Sequence, residues 1–311
     1  MGPSVFQLAC SCNIHPNKDL AAKLHAKNPE QFTDDNHKPE IAIALGPFEV
    51  FAGWKPQAEI DSLFEALPPL QKFLPKKDAK VDNETLRTVV QTILQSSDES
   101  IKKCQQELAK IPKEKYGKQS YILEILPRLQ EQYSIEDPGN LVALITMNFL
   151  TLSTGDAIYV PADAPHAYLS GNIVECMARS NNVLNTGFCP RADRDNIELF
   201  SSALTFAPHS AEEVLLPSKP SKRGKEGKTV EYAPPMSEFN MLKTELKGGE
   251  KEVVEKIAGP SVLFSMSGQG KMSAGGEEFE VKEGYIFFVG QGVEVHMEAE
   301  KGLVVYRAYA E

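Results

Sequence analysis

The segment Gly155-Asp-Ala-Ile-Tyr-Val-Pro-Ala-Asp-Ala-Pro-His166 decides the fold. A glycine turn leads into a short apolar strand, and two prolines close it just before a histidine. The same rhythm returns in Gly284-Tyr-Ile-Phe-Phe-Val-Gly-Gln-Gly-Val-Glu-Val-His296. Short strands punctuated by Gly and Pro turns are the pattern of a jelly roll. The two segments predict two related β-sandwich units, so the chain is read as mainly β.

Upstream of Gly155 the hydrophobic period changes. Ile60, Leu63, Phe64 and Leu67 follow the spacing of one buried helix face, as do Leu86, Val89, Val90, Ile93 and Leu94. Ile101, Cys104, Leu108 and Ile111 make a third stripe. Asp137-Pro138 reads as an N-cap and first-turn proline, with a helix running through Leu141, Leu144, Ile145 and Phe149. These stripes are core positions first, and functional readings of them are weak. The expected organisation is a partial first β unit over 1–54, a helical insert over 55–150 and the rest of the first β unit over 151–205. A Pro-, Lys-, Gly- and Ser-rich linker over 206–235 then leads to a C-terminal jelly-roll unit over 236–311. The basic cluster Lys219, Lys222, Arg223, Lys225 and Lys228 reads as a solvated loop.

The net charge of −10 argues against nucleic-acid or acidic-membrane surfaces as partners. No apolar run is long enough to span a bilayer, and Met1 to Asn13 lacks the basic start of a signal peptide. Five cysteines, odd in number and irregularly spaced, predict no disulfide framework and a reducing, cytoplasmic setting. The strand-like stretch from Ser4 to Cys12 begins so near Met1 that further structure is expected upstream.

Three short segments carry chemistry. In Asn13-Ile-His15-Pro-Asn-Lys18, strand alternation puts Asn13 and His15 on one face, where both could reach a single ion. A surface histidine before a turn is the bland reading. A thiolate site using Cys10 and Cys12 is a lesser alternative, because it would need the strand to break. In His37-Lys-Pro-Glu40, followed by Ile41-Ala-Ile-Ala-Leu45, a carboxylate stands at the mouth of a buried strand, although a charged loop would look the same. In Pro165-His166-Ala-Tyr-Leu-Ser-Gly171, His166 ends one strand and Glu175 lies on the next. Each signal is weak alone; three strand-end signals in one fold are stronger together.

At these residues the chain resembles the type I mannose-6-phosphate isomerases. The segments His15-Pro-Asn-Lys, His37-Lys-Pro-Glu-Ile-Ala-Ile-Ala, Pro-His166-Ala-Tyr-Leu-Ser-Gly and Val-Glu175-Cys-Met-Ala carry the resemblance, in order along the chain. It implies a cupin fold with a helical insert and a second jelly roll. It also implies a zinc ion on His15, Glu40 and His166, with Asn13 where the family uses glutamine. Lys38 and Glu175 match polar pocket residues, so the resemblance gives Lys18, Lys38 and Tyr168 to substrate binding, with Lys38 at the substrate or its phosphate, and Lys38, Glu175 and Asn185 to the catalytic set. Asn185 stands where the family carries an arginine implicated in catalysis, and Asn181 where it carries an aspartate. The family also carries a longer segment ahead of its first metal motif. The implied reaction is interconversion of mannose 6-phosphate and fructose 6-phosphate by enediol proton transfer. It would act on a small sugar phosphate, as a monomer, and feed mannose activation for GDP-mannose, glycosylation and cell walls. Asn13, Asn181 and Asn185 motivate a second reading, a non-catalytic relative that binds metal or sugar phosphate. A third, a cupin oxygenase, is disfavoured because Asn13 and His15 do not form a His-x-His pair.

Overall fold

The structure is a computed structural model describing residues 12–76, 79–189, 192, 194–236 and 238–311, with Cys12 and Asn13 described by backbone alone. Nearly all of the expected Ser4–Cys12 strand, and the Cys10 and Cys12 thiols, lie outside the described residues. The chain opens with β1 (Cys12–Ile14), α1 (Lys18–Lys27), β2 (Glu40–Ala44) and β3 (Phe48–Trp54). Helices α2 (Gln57–Ala66), α3 (Asn83–Gln95), α4 (Asp98–Leu108) and α5 (Ile122–Gln132) follow. Side-chain caps start two of them. Asp82 accepts from Thr85 N–H at 2.7 Å, and Ser97 accepts from Ser100 N–H at 3.3 Å. The predicted stripes on α2, α3 and α4 are buried in one apolar cluster.

In this half of the chain two elements depart from the sequence reading. Inside the stretch 1–54, expected as part of the first β unit, α1 is helical, capped by Asn17 and burying only Ala21 and Leu24. That stripe is too narrow to stand out in the sequence. The helix expected from Asp137 through Phe149 also fails early: α6 (Gly139–Leu141) passes into a π-helical turn at Val142–Thr146, and Met147–Leu152 is β4. Pairing with β3, in register Phe51↔Phe149, overrides the local helical period.

β5 (Ala157–Val160), β6 (His166–Ser170), β7 (Ile173–Met177) and β8 (Leu184–Gly187) complete the first β unit, and α7 (Ile197–Ala203) follows. One sheet runs β4-β3-β6-β1-β8 and the other β5-β2-β7, all antiparallel. Gly171 turns the chain between β6 and β7 at φ 103°, and a Cβ there would lie 2.4 Å from the Pro47 carbonyl oxygen.

The C-terminal unit holds β9 (Lys219–Pro220), β10 (Thr229–Tyr232), β11 (Asn240–Lys247), β12 (Lys251–Val254), β13 (Ser261–Ala274), β14 (Glu277–Lys282), β15 (Ile286–Val289) and β16 (Val295–Tyr309). β10 lies inside the stretch read as linker, because its four residues pair with β11. Leu242, Leu263, Val281, Val295, Leu303 and Val305 fill the interior of this unit. A separate apolar cluster, including Ile41, Ile43, Val174, Tyr232, Met241 and Tyr306, joins the two units.

Candidate metal centre

Sheet register brings the candidate ligands together. Asn13 on β1 lies opposite His166 on β6, and His15 follows one residue after β1 ends. Glu40 opens β2 between Val160 and Met177, and Glu175 lies opposite Ala42. Glu40 and Ala42 share a face, so Glu175 stands one diagonal step from Glu40.

His15, Glu40 and His166 are each 3% exposed. One ligand atom from each lies within 4.8 Å of the others. His15 Nε2 is 3.2 Å from Glu40 Oε1, and His166 Nε2 is 3.4 Å from Glu40 Oε2. The remaining imidazole nitrogens are turned away. His15 Nδ1–H donates to the Asn182 carbonyl at 2.7 Å, and His166 Nδ1–H points to the Ala164 carbonyl at 3.4 Å. Each Nε2 lone pair is thereby directed at the centre, the arrangement a metal-ligating imidazole needs.

Electrostatics fit a cation site. Burial would raise the Glu40 carboxyl, but the His15 and His166 rings beside it hold it well below the usual range. Burial lowers His15, favouring the neutral ring that ligates, whereas at His166 the pull of burial is outweighed by the Glu40 carboxylate, which raises that ring. Burial, and then the charge of Glu40, push the Glu175 carboxyl up to about 7. Tyr168 O–H donates to Glu175 Oε1 at 2.8 Å. Lys38 Nζ lies 3.3 Å from Glu40 Oε1, on the partly open side. Two imidazoles and a carboxylate, buried together, form a donor set suited to zinc.

The remaining expected residues fall into three positions. Lys18 is exposed at the start of α1. Asn185 is half-buried on β8, its N–H donating to Asp195 Oδ2 at 2.7 Å. The Asn13 side chain lies outside the described residues, so only its backbone is placed. Sequence reasoning missed Asn182, which acts through its carbonyl and so leaves no side-chain signature. It also missed Asp34, whose carboxylate accepts from Ser180 Oγ at 2.8 Å and from Asn181 N–H at 2.9 Å. That contact fixes the loop carrying Asn182. Asp34 stands in Thr33-Asp-Asp-Asn, which reads as a turn.

Two family models match the chain: phosphomannose isomerase type I, catalytic domain, over residues 5–57, and phosphomannose isomerase type I C-terminal, over residues 230–277. The mannose-6-phosphate isomerase of Candida glabrata is 32% identical over 97% of this chain and 75% of its own length. That of Saccharomyces cerevisiae has the same identity and coverage. Among solved structures, a zinc-bound mannose 6-phosphate isomerase superimposes with a TM-score of 0.78 at 22% identity, over 97% of this chain and 76% of that one. A variant of phosphomannose isomerase from Salmonella typhimurium gives the same TM-score and coverage. This likeness gives the chain the cupin fold of those proteins.

Proposed function

The chain belongs to the type I phosphomannose isomerase family, and from that premise we propose that it interconverts mannose 6-phosphate and fructose 6-phosphate at a zinc ion held by His15, Glu40 and His166. The observation that carries this reading is the buried triad, whose ligand atoms lie within 4.8 Å of one another. Asn13 is the proposed fourth ligand. Bound zinc supplies Lewis-acid stabilisation of the sugar oxygens as charge develops on them.

The protein's own residues then have distinct tasks. Aldose–ketose isomerisation moves one proton between C2 and C1 through an enediol. Glu175, one diagonal step from Glu40 and held by Tyr168, is the carboxyl placed to take that proton and return it. Tyr168, donating at 2.8 Å, orients the Glu175 carboxyl and lies beside the sugar. Lys38, drawn toward Glu40, meets the anionic substrate, and Lys18 supplies positive charge at the rim. Asn185 occupies the position of the family's arginine and offers a neutral amide where a cationic fork would stabilise an oxyanion. We assign the reaction to the cytoplasm and to a monomer, feeding mannose activation and engaging neither nucleic acid nor membrane. No helix among the described residues is long and apolar enough to cross a membrane.

A coupled assay for fructose 6-phosphate, run with added zinc, tests the reading. Turnover should exceed a His166→Ala control by at least a hundredfold. A wild-type rate equal to that control overturns it.

A further inference from the structure

Arg307 lies on β16 between Leu242 of β11 and Leu263 of β13. Paired residues share a face, and both leucines belong to the interior of the C-terminal unit. Arg307 is only 3% exposed. Its Nε–H donates to Ser261 Oγ at 2.9 Å, and the Ser261 hydroxyl donates onward to the Val289 carbonyl at 3.4 Å. This contact fixes the guanidinium plane without neutralising it. Nη1 and Nη2 are both buried and have no acceptor among the described residues.

No carboxylate among the described residues balances the charge. Arg223 acts on Arg307 as a like charge, lying 5.3 Å over the Tyr309 ring and paired with Glu311. Tyr309 O–H is spent on Glu231. Glu252, a buried carboxylate of the same unit, accepts instead from Glu226 N–H, Lys228 N–H and Thr229 O–H. Burial, then Arg223, pull Arg307 down to about 10, which leaves it cationic at neutral pH.

A permanent charge is therefore held inside an apolar core with its two end-on donors unused. An unpaired buried ion is strongly unfavourable, and folded proteins keep such a group where a counter-charge meets it. The Nη1/Nη2 edge presents parallel N–H groups that match two oxygens of one carboxylate or phosphate group. A neutral ligand would leave the charge unbalanced, and a metal cation would be repelled.

We propose that the C-terminal unit binds one small oxyanion, of phosphate or carboxylate type, end-on at Arg307. This site is separate from the metal centre, whose ligands belong to the first β unit. The proposal does not depend on the isomerase reading.

Thermal unfolding of the zinc-loaded full chain at fixed ionic strength tests it, comparing chloride, inorganic phosphate and acetate. Phosphate at ten times its dissociation constant should raise Tm by about 3 °C in wild type. The rise should persist in Lys38→Ala, which removes an anion contact at the other site, and vanish in Arg307→Lys and Arg307→Met. In chloride, Arg307→Met should unfold at or above the wild-type temperature, because an unbalanced charge has gone. A response to acetate as well assigns any two-oxygen anion; a response to phosphate alone assigns the phosphate class. No wild-type response, or an equal one in the Arg307 variants, overturns the proposal. Should those variants fail to fold, the Arg307 Nε–H resonance of wild type decides: it should shift on phosphate titration, and an unmoved signal overturns the proposal.

Discussion

The imidazole of His15 has two nitrogens, and the fold uses both. Nδ1 is held by the Asn182 carbonyl at 2.7 Å, so Nε2 faces Glu40 as a lone pair. Removing one ligand should therefore empty the centre. His166→Ala or Glu40→Gln is expected to drop bound zinc from about one ion per chain to well below one, measured by elemental analysis after dialysis. Equal metal content in variant and wild type would contradict the ligand set. Tyr168→Phe should lower kcat by roughly ten- to a hundredfold, because a hydrogen bond to an ionisable buried carboxyl is lost. Bound zinc should stay unchanged in that variant; a lost metal would reassign Tyr168 to structure. Asn185→Arg restores a cationic fork on β8 and should raise kcat/KM. An unchanged rate would remove Asn185 from the pocket chemistry.

At the scale of elements, the π-helical turn at Val142–Thr146 is held by a buried lysine. Lys55 Nζ donates to the Leu144 carbonyl at 2.8 Å and to the Met147 carbonyl, and lies 5.7 Å from the Tyr121 ring centroid. Burial lowers it to about 7, opposed by Glu59. The folded pKa thus lies below the unfolded value of about 10.4, so the unfolded chain binds more protons between these limits. That contribution makes stability rise with pH from about 7 to 10 and stay level below 7. Lys55→Met removes it. Urea unfolding at pH 7 and pH 9.5 should show wild type gaining up to about 3 kcal/mol relative to the variant. A constant difference across that range would rule out a neutral Lys55. The sequence presents this residue only as Trp-Lys-Pro, a charged side chain before a helix, and its burial follows from the pairing of β3 with β4.

Across the whole molecule, the two β units meet through one apolar cluster that includes Ile41, Ile43, Tyr232, Met241 and Tyr306. The Tyr232 hydroxyl donates to the Gly155 carbonyl at 2.9 Å, and His37 pairs with Glu238 across the same boundary. Ile41 and Ile43 belong to β2, the strand that Glu40 opens, so the seam between the units also backs the metal site. Met241→Ala should cost about 2–5 kcal/mol and lower a single calorimetric transition. Two separated transitions in wild type would mean that the seam does not couple the units.

The sequence alone determined most of the strand and helix pattern and the candidate ligand types. Glycine and proline punctuation, the helical stripes on α2 to α4, and the His-Lys-Pro-Glu and Pro-His-Ala-Tyr segments were all readable, because each depends on local backbone preference or side-chain chemistry. It did not determine where the helical insert ends, since β4 becomes a strand through partners far away in sequence. Nor could it reveal the Asn182 carbonyl behind His15 or the unpaired fork of Arg307. A main-chain acceptor has no residue signature, and a charge is recognised as buried and unbalanced only when every neighbour is in place. The metal centre lies between these cases: its ligand types were legible along the chain, and sheet register alone brought them within 4.8 Å.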